Sequence, residues 1–122
     1  MRERKEVYYL AHPVSGDPVG NCYKAISWIR WLTLNHPDRV YIAPWVAEVL
    51  AFADENADAA FYDRVLSDDE DVVRHLDGIL LVGGTVSRGM MREADAALAA
   101  GKKIVDWHDY KTPDDVPREF VL

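Results

Sequence analysis

The sequence contains a single cysteine, Cys22, so no disulfide can form within the chain, and a reducing compartment is favoured. No apolar run approaches the length of a membrane-spanning helix. The first residues, MRERKEV, also lack the apolar segment of a signal peptide. We therefore expect a cytoplasmic protein that does not enter a membrane.

Positive charge is scarce: the chain has 14 lysine and arginine residues but 21 aspartate and glutamate residues, which gives a net charge of −7. This balance argues against a nucleic-acid polymer or an anionic membrane as partner, although a local pocket can still be positive. The four histidines show no spacing typical of metal ligands, and one cysteine cannot build a thiolate cluster. We expect no metal ion and no other cofactor.

The chain has 122 residues, enough for one compact domain with a sizeable core and too few for two. Its hydrophobic share of 49% and charged share of 29% are those of an ordinary globular protein. No internal repeat or low-complexity segment divides it. Residues 1–122 are therefore predicted to form a single domain.

The most informative stretch spans residues 77–103, where the apolar pattern changes period. A continuous apolar run at residues 79–82, bounded by glycines, is typical of a strand buried on both faces of a parallel sheet. From Arg88 to Gly101, a suitable C-cap, the apolar residues follow a helical stripe, formed by Met90, Ala94, Ala97 and Leu98. In open α/β sheets, ligands bind at such a junction of strand, glycine loop and helix.

The rest of the chain alternates strands with helices. Strands are predicted at residues 7–11, 40–43 and 103–105, with a last edge strand at 120–122. Asn21 is expected to cap a first helix that ends before Pro37, and Pro44 suits the start of a second helix over about 45–53. The predicted buried face of the first helix consists of Cys22, Ala25, Ile26, Ile29 and Leu32.

Between these helices and the central stretch lies an acidic, alanine-rich segment, residues 54–66, without a clear period. We interpret it as a loop or irregular helix that covers the site. The following Ser67 and Glu70 match a capping box, which predicts a helix from Ser67 to Leu76 with Asp69 in its first turn.

Right-handed crossovers between such elements give a small, mostly parallel sheet with helices on both faces. We therefore predict an α/β protein: a three-layer α/β/α sandwich of the flavodoxin-like or Rossmann-like type.

Glu93 lies beside Met90 and Ala97 on the predicted helix, at the edge of the buried stripe. Partial desolvation would raise the pKa of its carboxyl group and prepare it for nucleophilic or acid–base chemistry. Spacing alone favours the simpler alternative, a surface glutamate paired with an arginine or lysine.

Three stretches together resemble the nucleoside 2-deoxyribosyltransferase-like superfamily, and most closely its small bacterial and phage members. They are YLAHPVSGD from Tyr9, followed by Asn21; Ala43-Pro44 after the second strand; and Asp77 followed by Ser87, Gly89, Met90 and Glu93, with Asp69 upstream. These motifs cover about residues 7–106, most of the chain.

The resemblance implies that Glu93 attacks C1′ of a ribosyl or deoxyribosyl ring and that Asp69 protonates the departing base. Tyr9 would orient the sugar or Glu93, although a buried strand tyrosine needs no such role. Ser87, with the backbone N–H groups of Arg88 and Gly89, would hold the 5′ hydroxyl or phosphate.

Four further residues are expected to contact the substrate, and three of them have an alternative role. The guanidinium of Arg88 could favour nucleotides or belong to an exposed loop arginine. Trp45 could stack on the base or serve the core or a lid. His12 stands where many members of the superfamily carry glycine, which alters the sugar contacts or reflects a different loop. Asp77 is carried over with the motif as a substrate-binding residue.

We expect an enzyme that cleaves or transfers the N-glycosidic bond of a small nucleoside or nucleoside 5′-monophosphate. The alternative is a non-catalytic nucleotide-binding or sensor module on the same fold. A third possibility, a structural oligomer, rests on Trp28, Trp31 and the apolar tail. The resemblance itself implies a homodimer or larger homo-oligomer.

Overall fold

A computed structural model describes residues 3–53 and 59–119 of the chain, which build one parallel sheet flanked by helices. The strands are β1 (Glu6–Ala11), β2 (Arg39–Ile42), β3 (Gly78–Leu81) and β4 (Lys103–Asp106). The helices are α1 (Pro18–Asn35), α2 (Pro44–Ala51), α3 (Ala59–His75) and α4 (Arg88–Ala99), and a short 3-10 turn follows at Pro113–Asp115.

The sheet has the strand order β2-β1-β3-β4, and every neighbouring pair is parallel. Tyr9 in the central strand β1 pairs with Ile42 on one side and Ile79 on the other. All of β3 and the last four residues of β1 are buried. Burial on both faces explains why these strands are continuously apolar instead of alternating.

The helices form two layers, one on each face of the sheet. α3 packs along α4, which contacts β3 and β4, whereas α1 packs on β2 and α2. The predicted three-layer α/β/α sandwich of the Rossmann-like or flavodoxin-like type is therefore confirmed. Within the described ranges, no helix combines the length and apolarity needed to span a membrane.

Helix α1 begins earlier than predicted. Asp17 is its N-cap and accepts a hydrogen bond from the Gly20 N–H at 3.1 Å, and Pro18 occupies the first turn. The prediction of Asn21 as the cap is wrong, because Asp17 followed by proline is the stronger start signal. The buried Asn21 instead donates to the Val14 carbonyl at 2.9 Å.

The buried face of α1 also differs in part from the prediction. Cys22, Ala25 and Leu32 are buried as expected, but Ile26 is 45% exposed. Trp28 is fully buried, because it lies one helical turn from both Ala25 and Leu32. Its assignment to a surface for subunit contact is therefore wrong.

Helix α3 is continuous from Ala59 to His75. Over the described part of the segment predicted at 54–66 as a loop or irregular helix, the chain is a regular helix, so the loop alternative and the predicted helix start at Ser67 are wrong. The half-buried Phe61 ring contacts Phe52 at 5.1 Å between centroids, so tertiary packing extends the helix upstream of the capping pattern. Asp69 consequently lies in the middle of α3. Residues 54–58 and the expected strand at 120–122 lie outside the described residues.

The remaining boundaries agree with the sequence to within one or two residues. α4 begins at Arg88 as predicted, and Gly101 ends it with a positive φ of 70°. The Lys102 N–H donates to the Ala97 carbonyl at 2.9 Å, which completes a glycine-based C-terminal cap. Leu98, assigned to the buried stripe, is 70% exposed.

Candidate functional site

Four polar side chains from four different elements meet in the interior. Tyr9 comes from β1, Glu48 from α2, Asp69 from α3 and Glu93 from α4. Asp69 is 2% exposed and Glu93 6% exposed, although carboxylates are rarely buried. We call these four residues the acidic cluster.

Glu93 is held by Tyr9. The Tyr9 hydroxyl donates a short buried hydrogen bond to Oε2 of Glu93. The neighbouring Arg92 pairs with Glu70 at 2.6 Å and Asp63 at 2.9 Å instead. The alternative of a surface glutamate paired with an arginine or lysine is therefore wrong.

Burial raises the pKa of Glu93 to about 7, and the hydrogen bond from Tyr9 opposes that shift by stabilising the ionised form. Burial and the charge of Glu93 raise the pKa of Tyr9 well above its ordinary value, so its hydroxyl remains a donor. Near neutral pH, Glu93 is therefore a buried carboxyl group that can lose its proton.

Asp69 behaves differently because it lies against a second carboxyl group. Burial, followed by the hydrogen bond and charge of Glu48, raises the pKa of Asp69 to about 9. The pKa of Glu48 is raised as well, mainly by burial. Ionising both acids in such contact is unfavourable, so at equilibrium near neutral pH Asp69 keeps a proton. Its Oδ1 atom has no hydrogen-bond partner among the described residues.

Sequence reasoning missed Glu48. The available signal was its position as the lone acid in the apolar helix PWVAEVLA, three residues after Trp45. Trp45 is 3% exposed and belongs to the core. Glu48 lies one helical turn later on the same face of α2, so its side chain also points inward. A single acid at such a position is a candidate for a buried carboxylate.

The N-terminal end of α4 carries three residues that are predicted to contact the substrate. The Ser87 Oγ accepts a hydrogen bond from the Met90 N–H at 3.2 Å, which caps the helix. A Cβ atom on Gly89 would lie 3.2 Å from Leu66 on α3, so this glycine permits close helix packing. Arg88 is exposed at the start of the helix. Their predicted contacts with a phosphate or hydroxyl group remain predictions.

Trp45 and His12 stack on each other, with ring centroids 6.2 Å apart. The Trp45 Nε1 donates to the Leu10 carbonyl at 2.9 Å, which fixes α2 against β1. Nδ1 of His12 lies 2.7 Å from the Pro13 carbonyl, which can only accept, so Nδ1 carries the proton. Burial lowers the pKa of His12, which favours the neutral ring.

The structure does not bring Asp77 to the acidic cluster. Its carboxylate accepts the Val7 N–H at 2.8 Å and pairs with Arg4 at 2.7 Å. Asp77 precedes β3 and therefore lies at the amino end of the parallel strands. Its contacts fasten the beginning of β1 to the sheet.

The sequence matches no protein-family model and no curated protein. Among the described residues, no group of three or more histidine, cysteine, aspartate or glutamate side chains is arranged to hold a metal ion. The acidic cluster combines a Glu93 carboxyl group held by Tyr9 with a protonated Asp69.

Proposed function

We propose that the chain cleaves or transfers the N-glycosidic bond of a nucleoside or nucleoside 5′-monophosphate. The observation that carries this proposal is the buried hydrogen bond from Tyr9 to Glu93 beside the contact between Asp69 and Glu48. It places a carboxylate with a pKa of about 7 near a carboxylic acid with a pKa of about 9. Two carboxyl groups with separated pKa values, one ionised and one protonated, are the usual arrangement for glycosidic catalysis through a covalent intermediate.

In the first step, a carboxylate oxygen of Glu93 forms a bond to C1′ of the sugar as the bond between C1′ and the base nitrogen breaks. The proton of Asp69 passes to the departing base, so the base leaves neutral. Tyr9 holds the Glu93 oxygen in place through its hydroxyl. The products of this step are a free base and a glycosyl ester on Glu93.

In the second step, water or the nitrogen of another base attacks C1′ and releases Glu93 as a carboxylate. Asp69, now ionised beside Glu48, accepts the proton of the attacking group. Glu48 raises the pKa of Asp69 through its hydrogen bond and charge, which keeps Asp69 protonated before the first step and makes the ionised Asp69 a stronger base in the second. The enzyme returns to its starting protonation state.

The test is chromatographic detection of free base after incubation with nucleosides and 5′-monophosphates, with and without an acceptor base. Wild type should release base, and Glu93→Gln should reduce release by at least ~1,000-fold, since the nucleophile is removed. Asp95→Asn is the matched control, because this exposed carboxylate lies on the same helix. It should leave release unchanged.

A second readout separates the covalent mechanism from direct hydrolysis. Mass spectrometry of the acid-quenched protein should find a sugar adduct on the peptide that contains Glu93. Equal release by wild type and Glu93→Gln would contradict the proposal. If no base is released while nucleotides raise the melting temperature, the chain is a binding module instead.

A further inference from the structure

Arg92 joins helix α4 to helix α3 at a point beside the acidic cluster. Its Nε atom donates to Oε1 of Glu70 at 2.6 Å, and its Nη1 atom donates to Oδ1 of Asp63 at 2.9 Å. Both acceptors belong to α3, whereas Arg92 belongs to α4. We call these three residues the α3–α4 bridge. One guanidinium binds two carboxylates in it, so both hydrogen bonds are charge-assisted.

The α3–α4 bridge is continuous in sequence with the two proposed catalytic acids. Arg92 directly precedes Glu93, and Glu70 directly follows Asp69. Neighbouring residues of a helix point roughly 100° apart. The two acids are therefore buried in the interior, while the partly buried Arg92 and Glu70 meet at the edge of the helix contact. A movement of α4 against α3 that breaks the bridge would also move Glu93 relative to Asp69.

The two acceptors of the bridge also fix the position of α4 along α3. Asp63 and Glu70 lie on one face of α3, roughly two turns apart. Because Arg92 binds both, a slide of α4 in either direction lengthens one of the two hydrogen bonds. A guanidinium presents its N–H groups in a rigid plane, whereas a lysine ammonium is a single point of charge. Lysine at position 92 would therefore keep the charge but not the register of the two helices.

Titratable groups from the surrounding elements face the two buried acids. Those that face Glu93 are Tyr9, Glu48, Glu70 and Arg92. Those that face Asp69 are Glu48, Asp68 and Glu93. After burial and Glu48, the charge of Glu93 also raises the pKa of Asp69. Because the interaction of two charges falls with distance, the size of this effect reports the separation of the two carboxyl groups.

We propose that Arg92 is a positioning residue: through the α3–α4 bridge, it sets the separation between Glu93 and Asp69. The effect of the bridge on the two carboxyl groups is a property of the folded chain and needs no substrate. Its effect on the release of base rests on the proposed function. One measurement can therefore be made without turnover, and a second one requires turnover.

Carbon-13 NMR titration of labelled aspartate and glutamate carboxyl groups measures the electrostatic coupling of the two acids. In an otherwise wild-type chain, Glu93→Gln removes a negative charge and should lower the pKa of Asp69 by roughly one pH unit. In the Arg92→Lys background, the same substitution should lower this pKa by less than half as much, because the acids lie further apart. Arg74→Lys is the matched control, since the ion pairs of Arg74 lie within α3. It should leave the coupling unchanged.

A variant at the surface separates positioning from a general loss of stability. Asp63→Asn changes an exposed acceptor and leaves the hydrogen bond between Arg92 and Glu70 in place. It should weaken the coupling less than Arg92→Lys does, while its melting temperature stays close to that of wild type. Equal coupling in wild type and Arg92→Lys, or an equal loss of coupling in Arg74→Lys, would overturn the proposal.

The turnover measurement distinguishes positioning of the acids from binding of the substrate. If wild type releases base, Arg92→Lys should lower kcat by ~10–100-fold and change KM by less than ~3-fold, because misplaced acids slow the chemical step. Arg74→Lys should release base as wild type does. An unchanged kcat in Arg92→Lys would overturn the role of Arg92 in turnover. A wild type that releases no base would overturn the proposed function instead, and the carboxyl titrations would still decide whether Arg92 positions the two acids.

Discussion

Tyr9 controls the charge state of Glu93 more directly than any other residue in the acidic cluster. Its hydroxyl is the hydrogen-bond donor to the carboxylate, and it opposes the effect of burial. A carboxylate that loses its donor in a buried site becomes harder to ionise. The single hydroxyl therefore lowers the pH at which Glu93, the proposed nucleophile, becomes ionised.

Replacing Tyr9 by phenylalanine should raise the pKa of Glu93 above about 7. A hydrogen bond to a charged group contributes ~1.5 kcal/mol or more, so we expect an upward shift of roughly one pH unit. The acidic limb of the plot of kcat/KM against pH should move by that amount. Tyr41→Phe removes a hydroxyl bonded to the His36 carbonyl, away from the cluster, and should not move the limb. An unmoved limb in Tyr9→Phe would show that the hydrogen bond does not tune Glu93.

The contribution of Asp69 to the free energy of unfolding changes with pH in the opposite direction from that of a typical surface aspartate. Its pKa in the folded protein, about 9, lies above the ordinary value of 3.8. Between these values the folded state holds a proton that the unfolded state has released, so the free energy of unfolding falls as pH rises. The stability associated with the protonated acid is complete below about pH 4 and is lost toward pH 9.

Asp69→Asn should therefore raise the free energy of unfolding at pH 7, by up to ~4 kcal/mol, because wild-type Asp69 must take up a proton on folding at that pH and the amide need not. The gain should shrink toward zero at pH 4. Urea denaturation at both pH values measures it. The control is Asp71→Asn, an exposed residue of the same helix that pairs with Arg74. A gain that is equal at pH 4 and pH 7 would contradict the raised pKa.

At the scale of elements, the contact of α3 with α4 positions both proposed catalytic acids. Gly89 lies where a Cβ would approach Leu66 to 3.2 Å, so the two helices are close at this point. Asp69 lies one turn beyond Leu66 on α3, and Glu93 lies one turn beyond Gly89 on α4. Separating the helices would therefore separate the two carboxyl groups.

Gly89→Val should lower the free energy of unfolding by ~1–3 kcal/mol, because the added methyl groups overpack the contact with Leu66. Leu66→Ala should restore part of this loss in the double variant. A double-mutant cycle on the melting temperature or urea midpoint measures the coupling. Additive changes in the free energy of unfolding would show that the two residues do not interact sterically in solution.

The elements also show what a sequence can and cannot specify. α4 could be predicted because Ser87, the apolar period and Gly101 give independent signals for its start, its buried face and its end. The start of α3 could not, because Ser67 and Glu70 match a local capping pattern while packing of Phe61 on Phe52 extends the helix. Tertiary contacts override a local sequence pattern when the two favour different structures.

The acidic cluster was predictable only in part for the same reason. Glu93 and Asp69 were found through motif spacing, and Tyr9 through its place on the first strand. The pKa of Asp69 depends on Glu48, which lies on another helix and is joined to it only by the fold. The spacing of Glu48 and Asp69 along the chain does not reveal that the fold brings them together.

At the scale of the whole molecule, the two tuned acids should set the pH range of activity. In the proposed mechanism, Glu93 must be ionised to attack, which requires a pH above about 7, and Asp69 must be protonated to assist departure of the base, which requires a pH below about 9. The plot of kcat/KM for base release should therefore be bell-shaped with its maximum between these values. In Asp69→Asn the alkaline limb should disappear along with most of the activity. A maximum near pH 5 would contradict this assignment of roles.

The central position of β1 in the sheet has a consequence for the time course of folding. β1 is synthesised before the other strands, but it cannot complete its pairing until β3 has been made. The Val7 N–H donates to the Asp77 carboxylate, which lies 70 positions later in the sequence. Closing such long loops is slow compared with forming helices. On the ribosome, Tyr9 has no Glu93 to bond until α4 has emerged, and until then each carboxyl group stays hydrated with ordinary acidity. The buried hydrogen bond between Tyr9 and Glu93, and the raised pKa that burial gives Glu93, therefore arise only once β1 and α4 are assembled around the same interior.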